Sequence, residues 1–461
     1  MYEISVTQTL MMNTVISNEA KIPVYRDVDV VVVGGGIAGI AAAVAAARQG
    51  KKTVILEKYA ALGGLATLGQ VCVYLPLDDG VGHRIFSGLA EELLYTSIKY
   101  SYNDLPTCWK MGTEYVDRPE GRYASTFNIP AAIFAYDELC AQEGVETIFD
   151  VVFSEPIMDD NKVLGVICES KQGRVAIMGK QFIDASGDAD LMSRAGAATV
   201  KKASICSHWA YEMELSTVKK AIDEDKGVLQ ALQLRWLGAR PHGGDLNAYA
   251  VPTFEGTTID GVNGYLKTSR GMALDYLKQN LRSDYAMMTL PTMPQFRTSQ
   301  HIVGMSTLDY EKDAEKYVED SVGIVSNGIG GDVVQVSEYP YGGLIDCKIE
   351  NVYAAGRIVS TDEKMGWEMM RLIPACAFTG EAAGTAAALA MDQKVTAQAL
   401  DVKKLQGVLE KNNVVIHMSD DMKNNADKKT TVQYDSKHFY MSGICISSVE
   451  LNAGFEAMYK D

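Results

Sequence analysis

The run from Val30 to Glu57 leaves this chain little choice of fold. Val30 to Val33 is a continuous β-branched stretch, the composition of a strand buried on both faces of a parallel sheet. Gly34, Gly36 and Gly39 follow at GxGxxG spacing. The first allows a tight turn, the second lets backbone approach a pyrophosphate, and the third lets a helix pack close to the strand. Ile37 and Ala38 open an Ala-rich helix that runs to Gln49 almost free of charge, and its first N–H groups and dipole favour a phosphate at that end. Gly50 stands just past the helix end and residues 53–56 make a second strand. Glu57, followed by Lys58, lies where an acid accepts hydrogen bonds from a ribose hydroxyl pair. Strand, glycine turn, helix and acid in this order describe a dinucleotide site rather than a glycine-rich turn alone.

With 461 residues the chain can build two or three domains with sizeable cores. A net charge of −16 argues against nucleic acid or an anionic membrane as partner. The eight cysteines are scattered and none forms CxxC, which suits reduced, mostly buried thiols in a cytoplasm. No basic region followed by an apolar core opens the chain, so no signal peptide is expected. The Ala-rich run after Gly36 is broken by Arg48 and is too short for a membrane span. No His and acid set stands at metal-ligand spacing, so no metal is expected.

The fold class read from this pattern is α/β, with a Rossmann-type domain built from discontinuous segments. Residues 1–28 are an N-terminal arm in which 22–24 reads as an edge strand. Residues 29–200 form the first part of the nucleotide domain, with a Tyr-rich excursion at 101–125. In it, Gly63 and Gly64 turn backbone N–H groups toward a cofactor. Residues 86–100 and 129–143 read as helices. The stretches 145–153, 163–169 and 174–183 read as an antiparallel meander inserted in the parallel sheet. It leads to Asp184–Asp190, small and acidic residues at the sheet's carboxyl edge, where open α/β sheets bind ligands. Residues 201–339 read as a mixed α/β substrate or capping domain with helices at 216–236 and 265–281. Residues 340–396 return to the nucleotide domain through a strand ending in Gly356-Arg357 and an Ala-rich helix, 375–391, whose Gly380 and Gly384 permit close packing. Residues 397–461 are a polar C-terminal tail, of which 430–461 is expected to fold back as strand and helix.

Four separated motifs carry a family resemblance: GGGIAGIAAA with Glu57-Lys58; Leu62-Gly63-Gly64-Leu65-Ala66-Thr67; Ile183-Asp184-Ala185-Ser186-Gly187-Asp188-Ala189-Asp190; and Ala355-Gly356-Arg357 followed by Arg371-Leu372-Ile373-Pro374-Ala375-Cys376 and the 380–389 run. In this order they resemble the bacterial FAD-dependent oxidoreductases distantly related to the fumarate reductase and succinate dehydrogenase flavoproteins, over about residues 20–200 and 290–392. The resemblance implies FAD, held non-covalently. Gly34, Gly36 and Gly39 would hold its pyrophosphate and Glu57 its adenosine ribose. Gly63, Gly64, Ala66 and Thr67 would line the pyrophosphate and flavin side, and Val152 would meet adenine through its backbone. Ala185, Ser186, Gly187 and Asp188 would sit beside sugar and phosphate, and Gly356 and Arg357 would approach the ribityl chain. The helix start at Pro374, Ala375 and Cys376 would point its dipole at the flavin N1/O2 edge.

The expected activity is hydride transfer between flavin N5 and a small polar substrate: an alcohol, an amine or an activated C=C. The electron partner is unspecified and a homo-oligomer is compatible. The alternatives on this fold are a flavoenzyme without net redox, such as an isomerase or hydratase, and a flavin-binding protein without catalysis. Moving the substrate's proton calls for a base or acid, with His the default. His301, in the segment the family places near the flavin, is the first candidate, and His83 the second. Arg297 and Arg371 are candidates for orienting an anionic substrate, since guanidinium forks match carboxylates. In this family an Arg-rich run precedes Ile302-Val303-Gly304; here Arg297 matches, and Gln300 and His301 stand in place of basic residues. Cys376 at a helix start would have a lowered thiol pKa if exposed.

Overall fold

The structure is a computed structural model and describes residues 21–79, 83–101, 125–224, 231–238, 252–326 and 335–423. The chain enters through β1 (Val24–Asp27) and the unit β2 (Val30–Val33), α1 (Ile37–Arg48), β3 (Thr53–Glu57). The two-residue strands β4 (Val73–Tyr74) and β5 (Ser125–Thr126) pair with each other; α2 (Leu89–Ile98) lies between them in sequence and α3 (Ile129–Gln142) follows. Next come β6 (Glu146–Phe149), β7 (Val152–Asp159), β8 (Lys162–Ser170), β9 (Gly173–Met178), β10 (Gln181–Asp184) and α4 (Asp190–Arg194). The middle region holds β11 (Thr199–Lys201), β12 (Ser204–Ile205), β13 (Ser207–Glu214), α5 (Leu215–Asp223), β14 (Leu232–Gly238), β15 (Thr253–Phe254), α6 (Ile259–Gln279), β16 (Tyr285–Met287) and β17 (Gln300–Ile302). The chain then passes through β18 (Ser321–Ser326), β19 (Val336–Pro340), β20 (Val352–Ala354), α7 (Met365–Met370), α8 (Ile373–Gln393) and α9 (Val402–Lys411).

The central sheet is parallel, in the order β20-β10-β2-β3-β6. All of β2, β3, β10 and β20 is buried, as β-branched and apolar runs in a sheet covered on both faces require. Its strands come from residues 30 to 354, so the Rossmann-type domain is assembled from distant segments, as the sequence implies. One face is covered by α1 and α8. Gly380 and Gly384 lie directly on α1: a Cβ at either would stand 2.2 Å from the Ala38 oxygen or 2.1 Å from the Ala42 oxygen.

The meander is a separate antiparallel sheet, β9-β8-β7, extended by β1 in parallel on β9. Two expected strands are divided. The 145–153 stretch turns at Asp150, whose φ is 57°, into β6 of the parallel sheet and β7 of the meander. The 174–183 stretch breaks at Gly179 and Lys180 into β9 and β10; a Cβ on Gly179 would strike Val31 at 2.7 Å. The helix expected over 216–236 is shorter. α5 ends at Asp223, and Leu232–Gly238 is a strand paired antiparallel with β13, because Leu232, Leu234 and Trp236 alternate at period two. α6 begins at Ile259, six residues before the expected start, with Thr258 capping the Gly261 N–H at 3.1 Å. The expected tail strand and helix, most of the 101–125 excursion, His242 and His438 lie outside the described residues. No described helix is long and apolar enough to cross a membrane.

Candidate functional site

The carboxyl ends of β2, β3 and β10 open onto one cleft, and each glycine of the motif there has a different reason to be glycine. Gly34 holds φ +105° and a Cβ would meet the Ala185 oxygen at 2.4 Å. At Gly39 a Cβ would meet the Gly34 oxygen at 1.9 Å, so this position seats α1 on the strand. At Gly36 a Cβ would touch nothing within 4 Å; it would project into the open cleft. No packing inside the protein demands glycine there, whereas close approach of a ligand to the backbone does. Gly36 also bridges to Gly63, and Gly64 lies 3.1 Å (as a built Cβ) from the Gly36 Cα, so both glycine turns share one wall. Ile37, Ala38 and Ala66 complete that wall. Thr67 does not line it; its hydroxyl donates to the Leu62 oxygen at 2.6 Å and holds the turn.

At the end of β3, Glu57 is 5% exposed and accepts from the Gly35 N–H at 2.7 Å and the Tyr59 N–H at 2.8 Å. Burial pushes its pKa up, and these two bonds oppose the rise. A carboxylate has further lone pairs, which suits the ribose-binding role. Lys58 and Val152 line the same end, joined by Asp190 of the third motif and by two residues not singled out in the sequence, Phe153 and Arg194. Arg194 stacks on Phe153 at 5.3 Å and bonds the backbone oxygens of Phe153 and Ser154. A basic residue on a five-residue helix carries no local signal of such a role.

Across the cleft, Ala185, Ser186 and Gly187 line the turn after β10. Buried Asp184 organises it by accepting from Ser186 N–H and hydroxyl at 3.0 and 2.7 Å and from Met192 N–H at 2.8 Å; burial raises its pKa to about 6. Asp188 does not line the cleft. It accepts from Arg357 at 3.0 Å and from the Ser299 hydroxyl at 2.6 Å, tying the turn to the segment before β17.

The far end is basic. Gly356, Arg357, Arg371, Cys376 and Arg297 all line it, with Met293 and Ile373. Arg357 pairs with Asp188 and Arg371 with Glu368, each leaving its Nε without a partner. Arg297, 7% exposed, lies over the Trp209 ring at 4.7 Å and has no carboxylate partner among the described residues; its Nε and one terminal nitrogen make no hydrogen bond there. Burial, then Arg371, pulls its pKa down to about 10, which leaves it cationic at neutral pH. Helix α8 starts beside this end with Pro374 in its first turn and no side-chain cap. Pro374 and Ala375 do not line the cleft, whereas Cys376 does. The Cys376 thiol is pushed up to about 11 by desolvation, opposite to the lowering expected of an exposed thiol at a helix start.

No described histidine lines the cleft. His301 is buried in β17, bonds the Ile302 oxygen through Nδ1 at 2.8 Å and meets Trp367 edge-on at 4.5 Å. Burial lowers its pKa. His83 is held by Asp79 at 2.5 Å, likewise away from the cleft. His301 and His83, the first and second candidates for acid or base, thus stand outside the lining of this cleft. Among the described residues no group of three or more His, Cys, Asp or Glu could hold a metal.

A parallel sheet whose carboxyl ends open onto a glycine-walled cleft, with a buried acid at one end and three arginines at the other, has the architecture of an α/β dinucleotide-binding protein. The chain belongs to the FAD dependent oxidoreductase family, whose model matches residues 29–204 and 256–409. This is the family that the four motifs imply. L-aspartate oxidase of Mycobacterium tuberculosis (strain ATCC 25618 / H37Rv) is 34% identical over 116 residues, 23% of this chain and 22% of that protein. Thiamine thiazole synthase of Methanococcus vannielii is 28% identical over 177 residues, 36% of this chain and 59% of that protein. The chain thus spans from about a fifth to three fifths of the length of these relatives. A geranylgeranyl bacteriochlorophyll reductase-like protein from Thermoplasma acidophilum superposes with a TM-score of 0.41 at 14% identity, over 94% of this chain and 99% of that one.

Proposed function

We propose that this oxidoreductase moves a hydride between N5 of non-covalently held FAD and a small polar substrate that carries a negative charge beside an alcohol, an amine or an activated C=C. The observation that carries the reading is Arg297: a buried cation, without a carboxylate partner among the described residues, with free N–H groups in the cleft. A buried charge left unpaired is costly, and an anion restores the balance. Gly36, Gly63, Gly64 and the turn at Ser186 would hold the pyrophosphate, Glu57 the ribose, and Arg357 and the start of α8 the flavin end. FAD supplies the hydride chemistry; the protein's residues bind, orient and exclude water. In this reading 29–200 and 340–396 form the FAD domain and 201–339 caps it. The name of one matched relative, L-aspartate oxidase, makes amino acids with a second carboxylate the first compounds to try.

The test is a visible spectrum of the purified protein, repeated anaerobically with amino acids, hydroxy acids and uncharged alcohols. Bleaching of the flavin bands by an acid, lost in Arg297→Met, supports the reading. Bleaching by uncharged alcohols alone, or turnover with no electron acceptor, overturns it.

A further inference from the structure

The middle region contains a second, smaller cavity that the nucleotide cleft does not use. It lies between α6 and the 290–295 segment and is lined by His208, Tyr265, Ser269, Arg270, Met293 and Gln295, among others. His208 and Glu212 share the α6 side of β13, while Trp209 and Tyr211 point the other way, to Arg297 and Cys72. His208 is 1% exposed and neither ring nitrogen has a hydrogen-bond partner. Three of the other polar side chains that line the cavity, those of Tyr265, Ser269 and Gln295, already have partners. The Tyr265 hydroxyl donates to the Ser207 oxygen at 2.6 Å, and the Ser269 hydroxyl to the Leu266 oxygen at 3.2 Å. The Gln295 oxygen accepts from Trp209 N–H at 2.9 Å and its amide donates to the Gly69 oxygen. Leaving both imidazole nitrogens unmet in a buried site is costly, so the site calls for a guest.

The space amounts to about 10 Å³, enough for one water or one hydroxyl. Arg270 lies near His208, and its charge adds to burial in keeping the imidazole neutral, with its pKa lowered to about 4. A neutral imidazole offers one N–H and one lone pair, and a hydroxyl is the smallest group that uses both. Met293 lines this cavity and also the arginine end of the cleft. Its unbranched side chain is the flexible part of the shared wall.

We propose that the His208 cavity is a subsite for a hydroxyl at the far end of the substrate, entered past Met293, so that His208 decides specificity rather than chemistry. This rests on the reading that an anionic substrate lies at Arg297. The experiment uses the FAD-loaded protein with two probes, glycerate and lactate, which differ by one terminal hydroxyl. Each is titrated anaerobically while flavin absorbance is followed. The expected result is glycerate binding at least tenfold tighter than lactate, with the ratio falling to within twofold in His208→Leu and recovering in part in His208→Gln. Met293→Phe, which narrows the passage without touching the imidazole, lowers the ratio in the same direction and guards against a folding defect in His208→Leu. A flavin that responds to both acids alike, or a preference that survives His208→Leu and Met293→Phe, overturns the subsite and leaves the anion site standing. A flavin that responds to neither acid overturns both.

Discussion

Two glycines three residues apart make opposite predictions. Gly39→Ala places a methyl group 1.9 Å from the Gly34 oxygen, so α1 must move off β2. The expected cost is about 3 kcal/mol or more, read as a lowered midpoint in thermal or urea unfolding. Gly36→Ala meets no protein atom within 4 Å. Its unfolding without FAD should stay close to that of the parent protein, while FAD affinity falls at least tenfold, read by fluorescence titration of the apoprotein. Loss of stability in Gly36→Ala without FAD would show that the turn, not the ligand, requires glycine there. The cleft's cationic end makes its own demand. Arg297→Met keeps the packing on Trp209 and removes the unpaired charge, so the folded protein should lose carboxylate binding by about a hundredfold while retaining FAD.

At the scale of elements, α8 ties the molecule together and carries a pH-dependent weakness. Glu381 on its buried face accepts from the Leu89 N–H at the start of α2 at 2.7 Å, and burial raises its pKa to about 8. The folded state therefore holds this proton more tightly than the unfolded chain, whose glutamate titrates near 4.5. The contribution is complete below that value and is lost as pH rises through about 8. Glu381→Gln, neutral at every pH, should match the parent near pH 4.5 and exceed it in stability at pH 8–9, as seen in urea midpoints across that range. Elements such as α8, α1 and β2 were legible in the sequence because composition and glycine spacing agree with their burial. The 216–236 stretch was misread because an amphipathic start at 215–223 obscured the alternation of Leu232, Leu234 and Trp236 that makes a strand. The split of 174–183 between two sheets depends on Val31 pressing on Gly179, a contact 148 residues away that no local pattern encodes. In the site, the glycines and Glu57 follow from motif spacing, and Arg297, Arg357 and Arg371 from the family resemblance. His208 does not, since only the meeting of α6 with the 290–295 segment closes a cavity on it.

For the whole molecule, FAD binding and stability should be linked, since the cleft draws its walls from residues 33 to 376. FAD at a hundredfold excess over its dissociation constant adds about 2.7 kcal/mol to the folded state. Thermal melts should therefore rise by a few degrees with added FAD in the parent, and by about half as much or less at the same concentration in Gly36→Ala. The parallel sheet has a further consequence, for synthesis. One of its two edge strands, β20, and the helix that packs on α1 both come after residue 350, while α1 is complete by residue 48. At about 5–20 residues per second, a ribosome takes roughly 15–70 s to bridge that interval. Throughout it the Ala-rich face of α1 stands without the partner that buries it. The nascent chain is thus obliged to keep its first hydrophobic unit in waiting, and a messenger cut short before α8 would yield a product for the chaperones, not half an enzyme.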